Sequence, residues 1–512
     1  MPYPGADIKR RGAYLGMRLI RTSGVAGIAL LCLASGQVWA APEASVLGGS
    51  PLSASSLPQP TKIQPPRLAP VHKNIRLAEP VEDPLRLDLT GDPVLSLAKP
   101  AERSSFRQAV VAAVARNPSL GEAAAQIEEA QGAKNEAWAH MGPTVDFSFS
   151  HYQVISRAFS NDSKNLIERS RPRRRTDAVG SISQPVFDFG ANVARLTAAD
   201  QRLNAARFGS ADVATQVALR AVSSWYNVFG YRALLSLATQ FLSSQRDLRT
   251  EVGHRVAQGY SAAADLVQLD AYLASTTSEI ADYRRRLQTA EAQYTELVGV
   301  APPADVERAP PPPVQYGTVE EAQADVQRMP VVLAAAAIAR ATRSEAKAAR
   351  ADQLPRVTAG ADIGRYGVFE NARDYDSRVT GTMSWRLFGG AKQRGEQADA
   401  RQHGAQARYE RILEEARRDA AIAFIDLAGL RASERAAREG YIAARRSRDV
   451  IAQRFAVSRG TLIDLVAADN AYYSAAARYI LTLTELDSAR YALLARTGTL
   501  IDALGLPRQV VR

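Results

Sequence analysis

Residues Arg255–Asp270 read RVAQGYSAAADLVQLD, and 199 residues later Arg454–Asp469 read RFAVSRGTLIDLVAAD. The shared frame is an arginine, a short turn, an Asp-Leu-Val triplet and a second aspartate: Arg255, Asp265 and Asp270, then Arg454, Asp464 and Asp469. Two flanking features repeat with it. Prolines stand at Pro118 and Pro143 and, at the same interval, at Pro330 and Pro355. Each half also passes a compact step, Phe187-Asp188-Phe189-Gly190 or Leu387-Phe388-Gly389-Gly390, before a long proline-free stretch. A period near 200 residues is too long for a solenoid repeat, so the chain reads as two copies of one large module.

The proline-free stretches are rich in alanine, with apolar residues at helical spacing such as Trp225 and Phe229 or Leu234 and Leu237. They predict helices over 191–257 and 264–299 in the first copy and 391–455 and 462–504 in the second. The breaks fall at Gly259-Tyr260 and Arg459-Gly460. A helix over 191–257 spans about 100 Å. Shorter helices are expected from Ser104, a candidate cap, to His140 with an interruption at Pro118, and from Thr318 to Gln353. Trp225 and Tyr226 fall in mid-helix and read as packing residues.

After Pro143 and Pro355 the period drops to two. Val145, Phe147 and Phe149 alternate with Asp146 and Ser148, and Val357, Ala359, Ala361 and Ile363 alternate with polar residues. Val379, Gly381, Met383, Trp385 and Leu387 alternate with Arg378, Thr380 and Arg386. A weaker alternation covers Thr176–Phe187. Four strands follow, each with an apolar and a polar face. Asp146, Ser148, Arg378, Thr380 and Arg386 are the candidates for a water-lined surface.

The ends of the chain set the compartment. A basic start, an apolar stretch over Gly24–Ser35 and Val38-Trp39-Ala40 before Ala41 read as a secretory signal over 1–40, with Met17 an alternative start. The single cysteine, Cys32, lies inside that stretch without a small residue before it, so neither a lipid anchor nor a disulfide is expected. Removal of the signal lowers the formal net charge from +11 to +7, and no motif points to nucleic acid. Residues 41–100, rich in proline, read as a disordered linker. The first repeat is expected over 101–302, a proline-rich connector over 303–317, the second repeat over 318–507 and a tail over 508–512. The five histidines are scattered, and no cysteine nucleophile, phosphate loop or metal-ligand spacing is present. No enzymatic activity, metal or cofactor is expected.

No later segment has the length of apolar sequence that a membrane helix needs, whereas strands of about 10 residues suit a membrane β-barrel. Open strand edges are intolerable in lipid, and the smallest outer-membrane barrels have about eight strands, so four strands close only with further copies. A soluble half-buried sheet is the alternative. Long helices with narrow apolar stripes suit side-by-side packing into a wall.

On these residues the chain resembles the TolC family of outer-membrane efflux and secretion channels, over about 101–507. The resemblance rests on the two strand-to-helix steps and the two Arg…Asp-Leu-Val elements. It implies an α+β membrane protein: a homotrimer with a twelve-stranded β-barrel in the outer membrane and a coiled-coil-like α-barrel across the periplasm. It further implies an equatorial strap from Pro302–Pro313 and the chain ends. The implied function is an exit duct for type I protein secretion or multidrug and small-molecule efflux. The implied partners are a periplasmic membrane fusion (adaptor) protein, an inner-membrane ABC or proton-driven transporter, and outer-membrane lipid. A periplasmic adaptor or a structural coiled-coil protein of an export complex is the competing reading. The hairpin ends would lie at the periplasmic aperture, with Gly259, Tyr260, Arg459 and Gly460 at tips where an adaptor docks. Asp265 and Asp464 would ring the mouth or simply cap the return helices. Arg255 and Arg454 would pair with acids across neighbouring hairpins. Family members can carry a second acid three residues beyond the first. Here those slots are Gln268 and Ala467, and the acids stand at Asp270 and Asp469 instead. The basic run Arg171–Arg175 is expected in a loop facing outside, as a solvated basic loop or, alternatively, a contact for lipopolysaccharide phosphates.

Overall fold

A computed structural model describes residues 75–506 apart from 82, 85–86, 102–104, 372 and 458. All of these fall within one compact unit, Leu68–Arg512. The signal, the linker up to residue 74, the Ser104 cap and the tail lie outside the described residues.

The first repeat comprises α1 (Phe106–Arg116), α2 (Pro118–Ala139), β1 (Thr144–Gln153), α3 (Leu166–Ser170), β2 (Arg174–Phe187), α4 (Ala191–Ala257) and α5 (Ala263–Val298). The second comprises α6 (Val319–Asp325), α7 (Pro330–Ala351), β3 (Arg356–Tyr366), β4 (Asp374–Ser384), α8 (Ala391–Ala456), α9 (Leu462–Arg496) and α10 (Leu500–Ala503). No helix among the described residues is long and apolar enough to cross a membrane. The four strands form one antiparallel sheet in the order β1-β2-β3-β4, leaving β1 and β4 at its edges.

Three sequence expectations are corrected by local chemistry. The helix expected over 318–353 is broken before Pro330, because the residue preceding a proline is driven out of the helical region. Met329 is extended (φ −61°, ψ 132°) and Pro330 opens α7. The helix expected to end at Leu504 stops at Arg496, where Gly498 (φ 74°) turns the chain before α10. β4 ends at Ser384, so Arg386 stands in the step to α8 and not in a strand.

The two strand-to-helix steps share one device. Gly190 (φ 81°) and Gly390 (φ 79°) take the left-handed conformation immediately before α4 and α8. One residue earlier Gly389 has φ 98°, while its counterpart Phe189 has φ 53°, the only non-glycine with positive φ among the described residues. That geometry is unfavourable for a bulky side chain. Asp188 offsets it: its carboxylate accepts from Gly190 N at 3.0 Å and Asn192 N at 2.8 Å, and Phe189 packs edge-on against Phe187. The second copy uses two glycines and has no aspartate.

α4 is the spine. α2 and α5 both flank it, and it packs on α7 and α9 as well. It buries 26 residues, against eight in α8, which is one residue shorter. Alanine allows the close approach of α7, whose Ala335, Ala337, Ala339, Ala341, Ala346 and Ala348 are all buried. The largest core gathers Phe106, Trp225, Tyr226, Tyr294 and Tyr491. As the sequence suggested, Trp225 and Tyr226 pack, and they also hold backbone. Trp225 Nε1 donates to Glu307 O at 3.1 Å, and Tyr226 and Tyr491 donate to the carbonyls of Ala309 and Pro310. The proline-rich connector, which cannot make its own regular hydrogen bonds, is pinned by these hydroxyl and indole groups.

Candidate functional site

Two regions carry the sequence-predicted functional residues, the sheet with its step to α8 and the hairpin ends; between them lies a band where the chain's outer segments are fastened.

The strand register decides the faces of the sheet. Asp146 pairs with Ser181, Ser181 with Asp362, and Asp362 with Arg378, so one polar row crosses all four strands. Ser148 and Thr380 lie on the same face, since residues two apart share a side. The opposite face carries Val145, Phe147, Phe149, Ile182, Ile363, Val379 and Met383, and every one of them is exposed. Phe147 is 77% and Val379 87% exposed. A sheet face of exposed apolar side chains, backed by a polar face, is the pattern of a barrel wall with lipid outside and water inside.

At the hairpin ends both turns close alike. Tyr260 N donates to Arg255 O and Arg459 N to Arg454 O, each at 2.8 Å. Gly259 supplies the left-handed residue (φ 79°) of a helix-ending Schellman turn in the first. Asp265 and Asp464 stand in the first turn of α5 and α9. The Asp265 carboxylate accepts from Ala262 N at 3.3 Å, and the Asp464 carboxylate accepts from the Thr461 hydroxyl at 2.7 Å. Both carboxylates therefore serve helix starts, where the backbone dipole favours negative charge. Among the described residues neither arginine reaches an acid of the chain's other hairpin. Arg255 pairs with Glu251 on its own helix at 2.6 Å and lies over the Phe455 ring of α8 at 4.8 Å. Arg454 is exposed with no carboxylate within 4.0 Å among the described residues. An apolar cluster of Val252, Leu269, Leu462 and Val466 joins the two hairpin ends. Tyr260 is exposed, as are Gly259 and Arg459, and Gly460 is half-buried.

Asp270 and Asp469, equivalent in sequence, have different partners. Asp270 takes a two-pronged contact from Arg249, with Nη2 at 3.1 Å, and these hydrogen bonds hold its carboxyl below the usual range. The arginine equivalent to Arg249 is Arg448, but it stands 4.0 Å from Asp469. Arg448 instead pairs with Asp449 at 3.1 Å, lies over the Tyr472 ring and donates to Ala78 O. Burial then lifts the Asp469 carboxyl to about 6. Because this lies above the free-acid value of 3.8, the protonated form is favoured in the folded protein. Its contribution to stability is largest at low pH and is lost as pH rises through about 6. Hydrogen-exchange protection around Asp469 is expected to rise between pH 7 and pH 5 beyond the intrinsic change in exchange rate. Asp469→Asn should flatten that dependence; an unchanged slope in the variant would contradict it.

The cause of the asymmetry is residues 75–98, which the linker reading of 41–100 leaves disordered. Of these, Ile75, Leu77, Val94, Leu95, Leu97 and Ala98 pack on the helices. Val94 is fully buried, Ile75 N donates to Ser236 Oγ at 3.0 Å, and Leu95–Ala98 form a 3-10 turn. The anchor is Asp92. Its carboxylate caps that turn, accepting from Val94 N and Leu95 N at 2.9 Å. It also accepts from the Tyr441 hydroxyl and from Arg445 Nη1 at 2.7 Å, while Tyr441 and Tyr472 share a 2.9 Å hydroxyl contact. A proline-rich composition hides this; local signals were Asp92-Pro93 as a helix start and Val94, Leu95 and Leu97 after it. The 199-residue register carries a further signal. Tyr441, Tyr472 and Asp449 stand where the first repeat has Leu242, Leu273 and Thr250.

The connector is fastened beside this. Arg308 forms a buried pair with Asp487, Nη2 to Oδ1 at 2.8 Å, and donates to Ala98 O, so it links the connector, α9 and the N-terminal segment. Arg490 also reaches Asp487, at 2.9 Å. At the C-terminal end, Leu500, Leu504 and Leu506 enter the main core, and Arg107 donates to Gly505 O at 2.7 Å.

Comparisons with known proteins agree with this layout. The model of the family described as "Outer membrane efflux protein" matches residues 109–300 and 322–499, one match per repeat. Protein CyaE of Bordetella pertussis is 28% identical over 422 residues, covering 78% of this chain and 86% of that protein. Outer membrane efflux protein BepC of Brucella suis is 23% identical over 346 residues, covering 65% and 75%. Among solved structures, the outer-membrane channel OprN superposes with a TM-score of 0.68 at 19% identity, covering 79% of this chain and 92% of that one. VceC of Vibrio cholerae gives 0.67 at 19% identity, covering 77% and 96%. With the duplicated helix–strand–strand–helix–helix plan and an exposed apolar sheet face, this chain belongs to the outer membrane efflux protein family, whose members are outer-membrane channels that extend into the periplasm and not enzymes.

Proposed function

We propose that three copies of the chain close one duct. The observation that carries this is the four-stranded sheet with free β1 and β4 edges and an exposed apolar face. Open edges do not persist in lipid, and three copies bring twelve strands together without one. The polar row of Asp146, Ser181, Asp362 and Arg378 then faces the water-filled interior, and α4, α5, α8 and α9 from each copy form the periplasmic wall. Asp265 and Asp464 sit at the periplasmic mouth as three-fold sets of carboxylates that favour cations over anions. Tyr260 and Arg459 present the ends of the hairpins to an adaptor protein, and an inner-membrane transporter drives the traffic. The duct itself has no energy source and takes the cargo class of the pump it serves. Type I protein secretion is the first reading, and small-molecule efflux, the activity named for the relative BepC, is the second.

Deletion of the gene in its native cell, with complementation, separates these. Loss of one secreted protein with unchanged sensitivity to toxic small molecules supports secretion; increased sensitivity with an intact secreted set supports efflux. If neither changes, the duct reading fails. The lipid face has its own test. Phe147→Arg, placed at lipid depth, is expected to destabilise the reconstituted protein by about 2–4 kcal/mol. Ser148→Arg, one residue on and facing the lumen, is expected to stay within about 1 kcal/mol. Denaturant unfolding in lipid vesicles reads both, and equal effects would contradict the assigned faces.

A further inference from the structure

The loop between β1 and β2 combines charge and exposed apolar groups in a way that solvation does not explain. Residues 154–175 carry Arg157, Lys164, Arg169, Arg171, Arg173, Arg174 and Arg175 against two acids, Asp162 and Glu168. Some of these are used internally. Arg175 pairs with Asp177, and Arg169 bonds the Asn161 amide. Arg157 donates to Arg171 O and Pro172 O, and Val154 N donates to Arg173 O at 2.7 Å. These contacts staple the two arms of the loop together at its neck. Lys164, Arg171, Arg173 and Arg174 have no carboxylate within 4.0 Å among the described residues. Beside these cations the loop exposes large apolar side chains. Ile155 is fully exposed, Leu166 and Ile167 are about two-thirds exposed, and Phe159 is about half exposed. Leu166 and Ile167 open the short helix α3.

The loop's place in the fold selects the partner. It leaves β1 at Gln153 and returns at Arg174, at the end of the sheet opposite the steps that join the strands to α2 and α4. It therefore continues the exposed apolar face beyond the strands, where the bilayer core gives way to headgroups. Unpaired guanidinium groups match phosphate oxygens in geometry and charge. Exposed Ile and Leu next to them suit insertion among acyl chains at the interface. We propose that the 154–175 loop is a docking surface for the phosphate-bearing glycolipid headgroups of the outer leaflet. Arg171, Arg173 and Lys164 bind phosphate, and Ile155, Leu166 and Ile167 enter the acyl boundary. The surface is distinct from the duct's mouth and depends on outer-membrane placement but not on cargo or pump.

Native mass spectrometry of the full-length protein in non-ionic detergent tests it, with diphosphorylated lipid A and enzymatically dephosphorylated lipid A as probes. The wild type is expected to retain the diphosphorylated lipid at least about tenfold more than the dephosphorylated one, with the preference falling as salt rises. Lys164→Glu/Arg171→Glu/Arg173→Glu, whose exposed side chains make no ion pair among the described residues, should abolish that preference while bilayer conductance is retained. Ile155→Ser/Ile167→Ser should weaken retention of lipid A without changing binding of inorganic pyrophosphate. Equal retention of both lipids by the wild type, or full retention by the charge-reversed variant, would overturn the proposal. Selective capture of heparin with no lipid A preference would also overturn it, by placing a soluble polyanion on the surface. A variant that lost conductance but kept the lipid preference would count against the duct, not against this surface.

Discussion

Replacing Asp92 by alanine is expected to destabilise the folded chain by about 3–5 kcal/mol, the usual loss when one member of a buried ion pair is removed. The Asp92 side chain is wholly buried and that of Arg445 nearly so. Removal leaves the Arg445 guanidinium buried without its partner and strips Val94 N, Leu95 N and the Tyr441 hydroxyl of their acceptor. Asp92→Ala combined with Arg445→Met should recover part of the loss, because the guanidinium left without Asp92 is then gone. The same substitution has a local consequence. With residues 75–98 loosened, Arg448 loses Ala78 O and is free to close its 4.0 Å separation from Asp469, as Arg249 already does with Asp270. Urea unfolding and limited proteolysis within 75–98 check the first effect, and a lowered Asp469 pKa by carboxylate NMR checks the second. A change below about 1 kcal/mol, with residues 75–98 still protected, would show that the contact is not an anchor.

Arg308→Ala is expected to have the next largest effect, about 3 kcal/mol, at the low end for a buried pair because Arg490 still reaches Asp487. Arg308 ties the connector to both α9 and the N-terminal segment. Its loss should therefore raise hydrogen exchange over three separate stretches together: about residues 95–98, the connector, and α9 around Asp487. Arg308→Met with Asp487→Asn should lie closer to wild type than Arg308→Ala alone. Exchange confined to the connector would contradict a shared fastening point.

Much of this was legible in the chain because periodicity records which face a residue uses. Period-two alternation after Pro143 and Pro355 marked the strands, and the long proline-free stretches marked α4, α5, α8 and α9. The duplicated Arg…Asp-Leu-Val element marked both hairpin ends. What periodicity does not record is long-range pairing. Asp92 and Arg445 are separated by 353 residues, and nothing in the local pattern around either announces the other. The second aspartates show the same limit from the other side. Asp270 and Asp469 occupy identical slots, yet one lies against its arginine in solvent and the other is half-buried, 4.0 Å from its own. The difference comes from a segment that belongs to neither repeat. Strand ends were also blurred: alternation continues past Ser384 to Leu387, but backbone pairing does not, so Arg386 reads as a strand residue and is not one.

The central claim is that β1 of one copy completes the sheet of the next through its β4. The only cysteine in the chain is Cys32, so engineered thiols report this without competition from the strands. Phe147→Cys in β1, combined with Ser377→Cys, Val379→Cys or Gly381→Cys in β4, places both thiols on the apolar face. A short bismaleimide applied to isolated outer membranes is expected to yield covalent species of two and three chains for at least one of these pairs, and none larger. Single chains alone, or a ladder continuing past three, would contradict closure of the sheet by three copies.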